Sequence, residues 1–244
     1  MPSAQIKCLD LNPTDAAQSL ALEEVIQQLC EAGECRGLIW FWEPRDYAII
    51  LGYSRPLHSD VLLPECQRCS VPVFRRSSGG GTVLQGAGCL NYSLVLRSEP
   101  GDPWDSITRA NHTIMNRHRA ALQELLQQPI EVAGITDLVL DGRKFSGNAQ
   151  RRLQRSLLFH GSFLLNLDLS MVTRLLPVPS NQPAYRGNRC HDEFLVNLGV
   201  SPTALRLKLC QSWNVGPGSL DLPWDHIREL AREKYSNPDW TGRF

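Results

Sequence analysis

The sequence predicts an α/β chain of the α+β kind, with a mixed, largely antiparallel sheet flanked by helices. Three observations predict it. Short apolar runs of strand length are interspersed with longer stretches of helical period. Some strand runs lie close enough for hairpin turns, whereas others are separated by a whole helix. The 244 residues, 42% of them apolar, suffice for one large core, and residues 1–244 are expected to form a single domain.

The elements follow in order. "TDAAQSLALEEVIQQLCEAG" carries Leu22, Val25, Ile26 and Leu29 at helical spacing, with Gly33 as its expected stop. "GLIWFWE" and "YAIILGY" read as a strand pair joined by a tight turn at "PRD". "VPVFRR" and "GTVLQ" are two further strands with glycines between them, and "NYSLVLR" is another. Residues 106–128 hold the longest helical pattern. Strands are expected in "IEVAG", "DLVLDGRKFSGNAQ" and "LLFHGSFLLNLD", and the "DG" between Leu140 and Lys144 signals a hairpin. "SMVTRLL" begins a short helix, and 177–200 is a long irregular piece. Residues 201–214 and 223–235 read as two terminal helices, with Ser201 before a first-turn proline and Pro223 early in the second.

Composition narrows the function. The 25 basic and 25 acidic residues cancel, which argues against a general nucleic-acid binder. No run approaches the ~18 apolar residues of a membrane span. "MPSAQIKCLDLNP" lacks the basic segment and apolar core of a signal peptide, so the expected location is cytoplasmic. There the eight cysteines should be mostly free thiols, several of them buried. "CQRC" gives Cys66 and Cys69 a metal or redox spacing, which Cys190 and His191 could in principle complete. The motif sits in a Pro-flanked stretch, "LLPECQRCSVP", which reads as a loop, so plain loop cysteines are preferred and no metal ligand is assigned.

Three blocks concentrate chemistry. In "RRSSGGGTVLQG", residues 75–86, Gly79, Gly80 and Gly81 let backbone N–H groups approach an anion. Arg75 and Arg76 suit carboxylate and phosphate recognition, and Ser77 and Ser78 add hydroxyl donors. The block lacks a Gly-Lys-Ser/Thr ending and is followed by a strand, so it is neither a nucleotidase phosphate loop nor a dinucleotide fingerprint. In "TDLVLDGRKFSGNAQRR", 136–152, Lys144 is either a solvated turn residue or a fixed ammonium for charge developing in acyl or phosphoryl transfer. Asp137 could receive a nucleobase amine, organise a cation or simply be a turn or edge residue. In "FHGSFLLNLDLS", 159–170, His160 could be functional or a satisfied core histidine, and Asn166 and Asp168 could close the strand and cap the next helix.

Together these blocks resemble the lipoate–protein ligase family, within the wider lipoate/biotin protein ligase superfamily. "RRSSGGGTVL" is similar to its Arg-Arg-x-Ser-Gly-Gly-Gly-x-Val loop, and "CLNYSLVL" to the Asn-x-Asn-Tyr-Ser strand that follows. "DLVLDGRKFSGNAQ" resembles the Asp-Leu-Val…Lys-x-Ser-Gly-Ser-Ala block, and "FHGSFLLNLDLSMV" the His-Gly strand. "LALEE" and "EKYSNPDW" also fit, so the likeness runs in order from about residue 19 to 240. The resemblance implies the biotin/lipoate ligase catalytic-domain fold and an ATP- and Mg2+-dependent ligase. Such enzymes form lipoyl-AMP from lipoate and pass the lipoyl group to a lysine of a lipoyl-domain acceptor protein. By the same resemblance, Lys144 is the essential lysine at the reacting oxygens. Arg76, Ser78 and Gly79–Gly81 lie at the adenylate phosphate, and Asp137 and Ala149 around the nucleotide. Val83 and Leu84 are apolar walls, His160 stands on the neighbouring strand, and Gln85, Asn91, Ser146 and Gly147 complete the substrate-binding set.

Departures accompany the likeness. "QGAGCLN" stands where many members have His-Asp and then Gly-Asn, so Gln85 cannot titrate, and Asn148 replaces a common serine. Many bacterial members continue into a C-terminal accessory domain beyond the equivalent of Phe244, so a separate small accessory protein is an expected partner. Nucleic acid and membrane are not. Two other functions compete: an octanoyl or lipoyl carrier-protein acyltransferase of the same fold, and a non-catalytic lipoyl-protein binding subunit. The transferases use a cysteine nucleophile near the lysine; Cys89 is the one suspicious thiol, with a buried strand residue as its plain alternative. The intact Lys144 block argues against the binding subunit.

Overall fold

The computed structural model describes residues 6–244; the first five residues of the N-terminal stretch read above for a signal peptide lie outside it. In chain order the elements are β1 (Lys7–Cys8), α1 (Ala16–Ala32), β2 (Gly37–Trp42), β3 (Ala48–Leu51), α2 (Leu57–Asp60), α3 (Leu63–Arg68), β4 (Val73–Arg75), β5 (Val83–Gln85) and β6 (Cys89–Arg97). They continue with α4 (Ile107–Leu126), β7 (Glu131–Ala133), β8 (Asp137–Leu140), β9 (Arg143–Arg152), β10 (Ser156–Leu164) and α5 (Leu169–Leu175). The last are α6 (His191–Phe194), α7 (Pro202–Ser212), β11 (Gly216–Pro217), α8 (Trp224–Leu230), a π-helical turn (Ala231–Tyr235) and α9 (Pro238–Thr241).

Eight strands form one sheet in the order β11-β1-β2-β6-β10-β9-β8-β7, and β4-β3-β5 form a second. The large sheet is parallel at the β11-β1-β2 edge and antiparallel from β2 to β7. The predicted mixed, largely antiparallel sheet with flanking helices is therefore found. Strand alternation explains the layers. Ile39, Phe41, Leu94, Leu157 and Phe159 face one core with Ile114 and Leu122 of α4 and Leu205 and Leu209 of α7. Leu38, Trp40, Val95 and Leu158 face the other, under Leu22, Val25 and Ile26 of α1 and Ile227 of α8. Leu22 and Ile26 are fully buried, each contributing about 2 kcal/mol of apolar burial. The small sheet closes on α3, α5 and α6 through Ile49, Leu51, Cys66, Leu84, Val172, Leu175 and Phe194.

The signals at Gly33, Asp168 and the "DG" turn held, whereas Ser201 precedes α7 without a side-chain capping bond. Asp15 caps α1 by accepting from the Gln18 N–H, and Gly33 ends it in the left-handed region at φ 93°. Ser106 caps α4, and Asp168 caps α5. Asp141 and Gly142, at φ 49° and 72°, make the turn between β8 and β9.

Two expectations are corrected. β2 and β3 do not pair: β2 lies between β1 and β6, and β3 between β4 and β5. Both runs are apolar on both faces, so neither carries an alternation that selects its neighbour. "CQRC" is not a loop, because Cys66 lies on α3 and Cys69 caps its C-terminus. Cys66 is buried in the apolar cluster around the small sheet. His191 engages the Pro177 carbonyl through Nε2 and faces Arg186 through Nδ1. All eight cysteines are free thiols, and Cys30, Cys66 and Cys89 are buried.

Candidate active site

A cleft opens between α1, the small sheet and the β9–β10 face of the large sheet. One part is apolar, walled by Ala16 and Leu20 of α1, Trp42 of β2, Ile50 of β3 and Val83 of β5. The other part is polar, with Arg76, Gly81, Thr82, Asp137, Lys144, Asn148 and His160.

The glycine loop joins β4 to β5 across the mouth of this cleft. The two arginines before it turn inward. Arg75 is fully buried and donates to the carbonyls of Gly52, Tyr53, Arg55, Trp240 and Thr241. It ties the C-terminal turn to the small sheet and does not line the cleft. Arg76 donates to the Gly79 carbonyl at 2.6 Å, the Gly81 carbonyl at 2.8 Å and, through Nε, the Ser78 hydroxyl at 2.9 Å. Burial draws its guanidinium down to about 10, still charged at neutral pH. With the loop carbonyls drawn to Arg76, the Gly79, Gly80 and Gly81 N–H groups have no acceptor among the described residues. Three adjacent unpaired N–H groups are left available to an anion. Gly80 sits at φ 91°, and a Cβ there would stand 2.9 Å from the Arg76 Nη2. Glycine is thus required both by the backbone conformation and by the clamp.

Ser78 continues inward. Its Oγ lies 2.6 Å from His160 Nε2, and His160 Nδ1 lies 2.7 Å from Glu23 Oε1. Ser93 also donates to that carboxylate oxygen. The hydrogens fall in one consistent order: Arg76 donates to Ser78, Ser78 donates to Nε2, and Nδ1–H donates to Glu23. The chain of bonds has the order of a serine–histidine–acid triad. However, Ser78 is 1% exposed and stands behind the cleft wall. It therefore braces the loop against α1 and β10 rather than offering a nucleophile.

Lys144 lies on β9, with Nζ 2.8 Å from Asp137 Oδ1 on the adjacent β8. Asp137 Oδ2 accepts from the Tyr185 hydroxyl at 2.7 Å. The Lys144 side chain folds back over Gly147, where a Cβ would stand 2.8 Å from Nζ. The Lys-x-x-Gly spacing is therefore the room the ammonium needs. Asn148, the residue at the unusual position, accepts from the Tyr92 hydroxyl at 2.6 Å and donates to the Thr136 carbonyl at 2.7 Å.

Of the residues singled out in the sequence, Arg76, Gly81, Val83, Gln85, Asp137, Lys144, Gly147, Ala149 and His160 line the cleft. Gly79 and Gly80 form the exposed turn of the loop above it. Leu84 is corrected as a wall. Strand alternation on β5 sends Val83 and Gln85 to the cleft and Leu84 into the core beneath α5. Asn91 is buried behind Ser162, which donates to its Oδ1 at 2.6 Å and accepts from Gln85 at 3.1 Å. Ser146 is buried and touches Asn148 rather than the cleft. Cys89 is 1% exposed, and burial pushes its thiol up to about 11. Glu23, Tyr92 and Tyr185 were not anticipated. Glu23 had a signal, a carboxylate on the buried face of an otherwise apolar helical pattern; Tyr185 had none, lying in an aperiodic stretch.

Comparison with known proteins gives a family and a fold. Residues 15–198 match the family described as the lipoyl protein ligase A/B catalytic domain. A probable lipoate-protein ligase A of Mycoplasma pneumoniae is 28% identical over 236 residues, covering 91% of this chain and 66% of that protein. Lipoate-protein ligase A subunit 1 of Thermoplasma acidophilum is 27% identical over 246 residues, covering 94% of this chain and 93% of that one. In fold, the chain is similar to a lipoate-protein ligase A crystallised with ATP, at a TM-score of 0.82 and 23% identity, covering 99% of this chain and all of that one.

Proposed function

The chain belongs to the lipoyl protein ligase A/B catalytic-domain family, and we propose that it is an ATP-dependent lipoate–protein ligase acting on a lysine of a lipoyl-domain protein. The observation that carries this reading is the placing of Lys144. Its ammonium stands in the same cleft as the apolar walls and Gly81, beneath the turn of the glycine loop whose N–H groups are unpaired. An acyl-adenylate has those three needs: an apolar slot for the acyl chain, donors for the phosphate, and a cation at the carbonyl between them. In the first step the lipoate carboxylate bonds to the α-phosphorus of ATP and pyrophosphate leaves. In the second the acceptor amine bonds to the acyl carbon, AMP leaves and the amine proton is released. Because the anhydride is already activated, the protein's part is to position it, stabilise oxyanion charge and exclude water.

Mg2+ enters this reading with ATP as part of the substrate. Among the described residues no three His, Cys, Asp or Glu side chains gather as a metal site, and Asp137 is already paired with Lys144. The test is mass spectrometry of a lipoyl domain incubated with the chain, lipoate and Mg-ATP. A lipoyl adduct on one lysine is expected, and an adduct formed only from an acyl-carrier protein would replace the reading with a transferase.

That alternative needs a thiol nucleophile. No cysteine lines the cleft among the described residues, and Cys89 is both buried and held protonated. Cys89→Ser is expected to keep at least half of the activity, with no thioester-linked enzyme on acid quench. An acyl–cysteine at Cys89 would overturn this.

A separate accessory protein is also proposed, supported by the archaeal relative's name as subunit 1 of its ligase. Adenylation must order ATP, metal and lipoate together, whereas transfer starts from one bound intermediate. Single-turnover rates are expected to show efficient transfer from preformed lipoyl-AMP and adenylation at least ~10-fold slower without the partner. Equal rates for the two half-reactions would remove the need for one.

A further inference from the structure

We propose that Tyr185 is a positioning residue for Lys144, acting through the carboxylate of Asp137, and that the irregular 177–200 segment thereby sets where the lysine's charge is presented. The inference rests on the ligase reading of the cleft but assigns a role to Tyr185, to which that reading gives none.

Lys144 is held at two points by this segment. Its backbone carbonyl accepts from the Val196 N–H at 3.0 Å, and it forms an isolated parallel bridge with Leu195. Its ammonium pairs with one oxygen of Asp137, whose other oxygen accepts from Tyr185. Tyr185 is itself fixed from its own segment. Its ring packs on Phe194 with centroids 5.3 Å apart, and its carbonyl accepts from Arg189 Nη2 at 2.8 Å. Arg186, nearly buried, lies over the same Phe194 ring at 4.5 Å and donates to the Arg189 carbonyl. The stretch from Tyr185 to Val196 is therefore a cross-braced unit that touches the lysine directly and through the aspartate.

The physical consequence concerns charge sharing. A carboxylate with both oxygens free binds an ammonium at either one and draws it off the cleft. Burial and the Asp137 charge both push the Tyr185 phenol up, so it stays protonated and donates at neutral pH. Its hydrogen bond occupies Oδ2 and withdraws negative charge from the carboxylate. Asp137 then fixes the direction of Lys144 while leaving the ammonium able to answer the oxyanion that forms in the reaction. Removing the hydroxyl returns that charge to Asp137, tightens the ion pair and weakens the response of Lys144 to the substrate.

The experiment is a double-mutant cycle on the full chain with Tyr185→Phe and Asp137→Asn, read in two ways. In single-turnover transfer from preformed lipoyl-AMP, Tyr185→Phe is expected to lower the rate about tenfold, the scale of one hydrogen bond to a charged group. The half-saturating acceptor concentration and Tm should stay unchanged, and the further loss in the Asp137→Asn background should be under about twofold. Acylation of Lys144 by an N-hydroxysuccinimide ester, followed by mass spectrometry, should slow about threefold in Tyr185→Phe and not respond in the double variant. Wild-type rates in Tyr185→Phe, or equal losses in both backgrounds, would overturn the proposal. If the wild-type chain transfers nothing, the ligase reading falls, and the labelling cycle alone then decides whether Tyr185 acts on Lys144.

Discussion

Lys144→Ala is expected to leave the chain folded and to lower acyl transfer by about 10^3-fold, the scale of losing a principal oxyanion donor. The fold should survive because the packing here uses the backbone of Lys144. Its carbonyl accepts from Val196 and its strand pairing to Val139 needs no side chain. The side chain is about a quarter exposed, so the variant leaves no large cavity. Asp137 loses its cation but keeps the Tyr185 hydrogen bond and solvent access. What disappears is the charge. Lys144→Arg should not restore it, because the planar guanidinium is too large for the space over Gly147 in which the ammonium now lies. Single-turnover transfer from preformed lipoyl-AMP, with Tm measured in parallel, decides the matter. Transfer within tenfold of wild type in Lys144→Ala would remove this residue from the chemistry.

Lys144, Gly147 and Ala149 were legible in the sequence because they belong to one strand after a recognisable turn. The resemblance of the block to the family motif marked them as site residues; alternation alone would set Lys144 on the face opposite Gly147 and Ala149, and it is the register shift between Lys144 and Ser146 that brings them to one wall. Leu84 shows the opposite error: two adjacent apolar residues on a strand cannot both face a cleft, and the alternation that separates Val83 from Leu84 was available to be read. The misassigned partner of β2 has a different cause. Strand identity is a local property, but partner choice for a run buried on both faces is set by distant segments, here β1 and β6. The paired arginines were ambiguous for a chemical reason. A guanidinium fork suits a phosphate and a cluster of backbone carbonyls equally, and only the folded chain brings the carbonyls of Gly52 and Thr241 to Arg75. Glu23 and His160 stand 137 residues apart, so the brace behind the glycine loop exists only once α1 lies across β10.

Arg76→Met separates two roles that one arginine can have. The resemblance to other ligases implies a contact with the adenylate phosphate, whereas the geometry makes Arg76 the clamp that shapes the loop. Met keeps the length and apolar stem but donates nothing. The carbonyls of Gly79 and Gly81 lose their buried donor, and Ser78 loses the bond that orients its hydroxyl toward His160. Gly79 and Gly81 are exposed, so water can take up their carbonyls, and the cost falls mainly on the buried Ser78, on the order of 1 kcal/mol. With its carbonyls released, the loop loses the contacts that fix its shape, so nucleotide binding and transfer should fall together by about 10^2-fold or more. The expected result is therefore a coupled loss: a lower urea midpoint at unchanged m-value, and weak binding of a non-hydrolysable lipoyl-adenylate analogue. Arg76→Lys should recover part of the stability, since an ammonium can reach one or two of the carbonyls but cannot fork across the loop. If Arg76→Met instead keeps wild-type stability while losing analogue affinity, the guanidinium faces the phosphate during the reaction and the clamp is a resting arrangement. If stability falls and analogue affinity does not, the loop keeps its shape without the arginine, and the unpaired N–H groups owe their direction to the glycines alone.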